Sequence, residues 1–109
     1  MQNDRAFVRA IPRTPMTVAF EEAGEPLAYG AVANISEGGA CVWSAAHFAV
    51  GQRLSLRLSA ARRPQPLEAP GVVVWETAEE GQPDTHRYGI RWVAPSPEYR
   101  SELRQLLSH

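Results

Sequence analysis

Arg53-Leu54-Ser55-Leu56-Arg57-Leu58-Ser59 decides the fold class of this chain. Its leucines alternate with polar residues, a period of two that an extended strand satisfies by burying one face and wetting the other. Gly51 opens the strand, and residues 61–66, with Arg62, Arg63, Pro64 and Pro66, close it as a loop. The same alternation recurs on both sides. Upstream, Met16, Val18 and Phe20 alternate with Thr17, Ala19 and Glu21 before a turn at Gly24-Glu25-Pro26. Tyr29, Ala31, Ala33 and Ile35 make the next alternating set, Gly38-Gly39 interrupts it, and residues 40–45 form a strand with Val42 and Trp43 on opposite faces. Downstream, residues 67–77 read as a long strand whose centre, residues 72–75, is apolar enough to be buried. Residues 79–84, with Gly81 and Pro83, read as a turn, and Tyr88, Ile90 and Trp92 alternate beyond it.

The period then changes. Ser96 suits a helix N-cap, Pro97 the first helical position, and Glu98 the positive end of the helix dipole. Tyr99, Leu103, Leu106 and Leu107 share one helical face, which predicts a helix at 97–107. So short a helix is marginal alone in water, so it must dock on the sheet. Six strands and one terminal helix predict an all-β fold: a six-stranded antiparallel β-barrel with a C-terminal α-helix. Closure removes the exposed edges that an open sheet would have to protect. Pro12 and Pro15 disfavour regular structure nearby, so residues 1–15 read as a flexible arm and residues 16–109 as the barrel domain.

Bulk properties narrow the function. The 109 residues fit one domain, with 44% hydrophobic and 21% charged content. No apolar run approaches the roughly 20 residues of a membrane span, so no membrane insertion is expected. A lone cysteine, Cys41, predicts a buried thiol without an internal disulfide, and a cytoplasmic setting. A net charge of −1 argues against binding DNA or RNA polymers. The chain carries no nucleophile elbow, phosphate-binding loop or dinucleotide fingerprint, and no enzyme activity is expected. His47, His86 and His109 lie far apart without a partner at metal-ligand spacing, so no metal site or cofactor is expected.

Two polar features stand apart. Arg5, Arg9 and Arg13 repeat every four residues in the arm, and Asn34-Ile35-Ser36-Glu37-Gly38-Gly39 forms a polar turn between apolar strands. Arginine presents a planar fork of donors that fits phosphate, the O6/N7 edge of guanine, or a base face. Asn and Ser offer short side chains that donate or accept, and glycine admits a ligand close to the backbone. Paired, these parts suit an anionic guanine nucleotide.

The pair resembles the PilZ domain family, bacterial receptors for cyclic di-GMP, which carry R-x-x-x-R followed at some distance by [D/N]-x-S-x-x-G. Arg9-Ala10-Ile11-Pro12-Arg13 and residues 34–39 match these motifs, and Arg5/Arg9 offers a second, overlapping register. Gly71-Val72-Val73-Val74-Trp75, Tyr88-Gly89-Ile90-Arg91-Trp92 and the terminal helix resemble the family's later elements. The resemblance implies that the arm arginines clasp phosphate and guanine, that Asn34 and Ser36 contact base, and that Gly38 and Gly39 keep the turn open. It implies cyclic di-GMP as ligand. Because a small receptor domain must pass its signal on, the arm is expected to order on binding, a conformational change that recruits an unknown effector protein as partner. The other reading it allows is a ligand-independent interaction adaptor in motility, secretion or envelope polysaccharide control.

Overall fold

A computed structural model describes residues 15–61, 63–79 and 81–107 of the chain. Six strands, β1 (Met16–Glu22), β2 (Glu25–Ile35), β3 (Gly39–Ser44), β4 (Arg53–Ala60), β5 (Leu67–Glu79) and β6 (Gln82–Trp92), precede one helix, α1 (Pro97–Leu107). The strands close into a barrel in the order β1-β2-β3-β6-β5-β4, with every pair antiparallel. The all-β expectation therefore holds, and the helix occupies the predicted residues.

The period-two faces set the interior. Leu54, Leu56 and Leu58 are buried, as are Met16, Val18 and Phe20, and Tyr88, Ile90 and Trp92. Cys41 is also buried. Several expectations change, among them the turn at Gly24-Glu25-Pro26, which falls at residues 23–24 because Glu25 and Pro26 already pair with β1. Residues 72–75 are not a continuously buried run: Val73 faces the core while Val74 is 41% exposed. A register shift between Val73 and Trp75 breaks the pairing there. Likewise Tyr29, Ala31, Ala33 and Ile35 do not share one face. Tyr29 is 71% exposed and Ile35 is buried, because a register shift between Val32 and Asn34 inserts an extra residue into β2. Such a bulge reverses the facing of everything beyond it. The expected turn at 79–84 is also shorter, since β5 runs to Glu79 and β6 begins at Gln82.

Phe48, between β3 and β4, plugs one end of the barrel. Its ring lies 4.8 Å from that of Phe20 and 5.2 Å from that of Tyr88. The Tyr88 hydroxyl donates to the Ala46 carbonyl at 2.6 Å and accepts from the Phe48 N–H at 3.0 Å. One side chain thus satisfies two backbone groups of a loop that has no ladder of its own.

The helix is capped as its sequence predicts, Tyr99 N–H donating to Ser96 Oγ at 3.0 Å. Tyr99 and Leu103 are its buried residues, and the Tyr99 ring meets Trp92 edge-on at 5.3 Å. The Tyr99 hydroxyl is buried without a protein partner. A buried, unpaired hydroxyl costs free energy that its removal recovers. Tyr99→Phe is therefore expected to melt at or above the wild-type temperature. Burial also pushes the Tyr99 phenol far above its ordinary value of 10. The folded chain then keeps a proton that the unfolded chain releases, so stability is full below pH 10 and declines as pH rises above it. Thermal melts between pH 8 and 11, on an approximate grid spanning that value, should show a shallower alkaline decline for Tyr99→Phe.

Candidate functional site

The polar turn stands at the end of the barrel opposite the Phe48 plug. Asn34 follows the β2 bulge and pairs with Cys41 across β3. A bulge re-aims the side chain beside it. Here the half-buried Asn34 is left with its Oδ1 enclosed and without a hydrogen-bond donor. Native interiors rarely leave such an atom unpaired, so a donor from water or a ligand is expected to meet it.

Ser36, 5% exposed, is committed to the turn itself. Its hydroxyl accepts from Gly38 N–H at 3.2 Å and Gly39 N–H at 3.3 Å, and donates to the Gly39 carbonyl at 3.3 Å. A hydroxyl has one proton and two lone pairs, and these contacts use all three. The Ser36 N–H also donates to the Gly39 carbonyl, at 2.8 Å. Ser36 therefore shapes the turn from within. Gly39 is required for a reason the sequence does not announce. Its Cα runs against the β6 backbone, and a Cβ there would be built onto the Ile90 carbonyl oxygen, 3.1 Å from Arg91 Cα. Its φ is not positive, so close approach rather than left-handed freedom selects glycine.

The turn is then fixed from outside. Trp92 donates its backbone N–H to the Gly38 carbonyl at 3.0 Å and its indole N–H to the Ser36 carbonyl at 3.1 Å. Arg104 of α1 reaches Glu37 at 3.1 Å, an exposed pair. Arg91 pairs with Gly39 across the β3–β6 ladder and is exposed, which puts a cation on a strand bordering the turn. Trp92 and Arg104 were missed as site residues because their partners lie 56 and 67 residues away. Asn34, Ser36, Gly38 and Gly39 are thus brought together at one barrel end, while Arg5, Arg9 and Arg13 lie outside the described residues. The expectation that the histidines are too separated to meet also changes: the fold gathers His47 and His86 with Glu76 at the other barrel end.

The architecture is thus a small closed antiparallel barrel whose polar, glycine-containing turn is tied to β6 and reached by an exposed ion pair from the terminal helix. The PilZ domain model matches residues 3–109, and the chain belongs to that family. No curated protein matches it. Among solved structures it is similar to YcgR from Escherichia coli in complex with c-di-GMP, with a TM-score of 0.79 and 15% identity over 96% of this chain and 45% of that one. The PilZ domain of YcgR with c-di-GMP superimposes at a TM-score of 0.74 and 14% identity, over 95% of this chain and 88% of that one. The Bacillus subtilis inhibitor of motility, MotI/DgrA, gives 0.75 and 19%, over 95% and 49%. The chain therefore spans about half the length of YcgR and of MotI/DgrA. No described helix is long and apolar enough to cross a membrane.

Proposed function

We propose that this chain is a cyclic di-GMP receptor module and not an enzyme, acting in the cytoplasm by changing conformation and engaging an effector protein. The observation that carries the reading is the orphaned Asn34 Oδ1 beside the braced turn. A guanine edge presents ring and amino N–H donors, and a carboxamide oxygen accepts them. In this reading Asn34 reads the base, Ser36, Gly38 and Gly39 hold the turn at the right height, and Arg9 with Arg13 or Arg5 grips phosphate and guanine. Trp92 and the Glu37–Arg104 pair would carry a change at the turn to β6 and α1.

A ligand that binds only the folded state must stabilise it. Cyclic di-GMP at about 100 times its dissociation constant contributes about 2.7 kcal/mol, which for a domain of this size raises Tm by about 10 °C. Thermal melts with cyclic di-GMP, GMP and cyclic di-AMP check this. The rise should be confined to cyclic di-GMP and should shrink in Asn34→Ala at equal ligand. An unchanged Tm at saturating cyclic di-GMP overturns the receptor reading in favour of a ligand-independent adaptor.

A further inference from the structure

The barrel end far from the turn carries a cluster that the receptor reading does not use. Glu76 pairs with Tyr88 and His86 with Ala78 across β5–β6, so Glu76 and His86 are diagonal neighbours at the barrel mouth. His47 comes from the loop between β3 and β4. Its ring lies 4.2 Å from that of His86, centroid to centroid, and His86 Nδ1 is 3.0 Å from Glu76 Oε2. One ligand atom from each of the three lies within 4.8 Å of the others. Along β6, His86 is about 20 Å from Trp92, which braces the turn.

An isolated histidine–glutamate pair needs no second imidazole. Here the second is delivered by a loop whose backbone is held on both sides of it. The Tyr88 hydroxyl fixes Ala46 and Phe48, the two neighbours of His47. Ser44 Oγ accepts from the Ala46 N–H at 3.2 Å and donates to the Tyr29 carbonyl at 2.9 Å, which fixes the start of the same loop. With Phe48 buried as a plug, His47 is left outside on an anchored backbone.

Two imidazole nitrogens and one carboxylate oxygen form the donor set that suits zinc and its neighbours, whereas magnesium and calcium prefer oxygen alone. Bonds of about 2.0–2.1 Å in tetrahedral array put ligand atoms about 3.3 Å apart. The His86–Glu76 pair already has nearly that spacing, and the exposed His47 ring must turn to bring its nitrogen in from the 4.8 Å within which the three ligand atoms lie. We propose that His47, Glu76 and His86 bind one divalent transition cation of the zinc type, with its fourth position open to water. Such an ion would clip the β3–β4 loop to the β5–β6 hairpin.

Untagged full-length protein, stripped with chelator, should be titrated with Zn2+ against a chromophoric chelator, and with Co2+ for its visible absorption. One ion per chain is expected, held in the micromolar range, with the intense visible bands of low-coordinate Co2+. His47→Ala and His86→Ala should each weaken binding at least tenfold and abolish those bands, while His109→Ala should leave both intact. Circular dichroism establishes that the variants fold. If His86→Ala does not fold, His47→Ala, which replaces an exposed loop side chain, decides alone. Absence of Zn2+ binding at about 100 μM, a concentration that reveals even weak sites, overturns the proposal. Affinity unchanged in His47→Ala also overturns it.

Discussion

Gly39→Ala is expected to lower Tm by at least about 10 °C and to abolish nucleotide binding with it. The added methyl has no free space, because the position it would take belongs to the Ile90 carbonyl oxygen of the adjacent strand. Backbone cannot rotate aside as a side chain can. The β3–β6 ladder must part where Gly39 pairs with Arg91 and Ala40 with Ile90. Forced overpacking costs about 1–3 kcal/mol and sometimes more, and about 3 kcal/mol in a domain of this size gives the stated fall in Tm. The same displacement carries away the carbonyl and N–H of Gly39 that hold the Ser36 hydroxyl. Stability and binding should thus fail together. Thermal melts and a cyclic di-GMP titration check it, and an alanine variant melting within about 3 °C of wild type contradicts it, being less than about 1 kcal/mol.

On the proposed reading, Arg9→Ala is expected to weaken cyclic di-GMP binding by about 10- to 100-fold. Arg9 is common to both R-x-x-x-R registers, so its loss removes a clasp member whichever second arginine is used. Hydrogen bonds to charged groups are worth about 1.5–3 kcal/mol, and each 1.4 kcal/mol is tenfold in affinity. Arg9→Lys should restore little, since an ammonium lacks the planar fork that meets phosphate or guanine in two places. Calorimetry on the two variants beside Arg5→Ala and Arg13→Ala also separates the registers, because only the arginine that completes the clasp should approach the Arg9 effect. Binding by Arg9→Ala within about threefold of wild type, under 1 kcal/mol, contradicts the shared role.

The barrel was legible wherever one strand face is buried without interruption. Leu54, Leu56 and Leu58, and Tyr88, Ile90 and Trp92, announce their facing because their period is two and nothing breaks it. The β2 bulge was not legible. Ala33 is an ordinary small residue, and the face reversal at Asn34 arises from pairing with β3. Phe48 escaped for a related reason: it is a core residue in a connection, where no period exists to mark it. At the site, Asn34 to Gly39 was recognisable as a polar turn from its residue types. Its bracing was not, because the Trp92 indole and the Arg104 guanidinium reach it from distant elements. The hydrogen bonding of Ser36 was not legible for the same reason. A serine hydroxyl in a turn can face a ligand or the turn's own amides, and only the three-dimensional arrangement distinguishes them. The histidine cluster reverses an expectation drawn from spacing, since β5, β6 and a loop assemble what sequence separation kept apart.

A calorimetric titration of the full chain with cyclic di-GMP tests the central claim most directly. A saturable heat with a dissociation constant near 1 μM or tighter is expected, absent with GMP and with cyclic di-AMP. No heat at about 100 μM cyclic di-GMP, or equal heats with all three nucleotides, contradicts it.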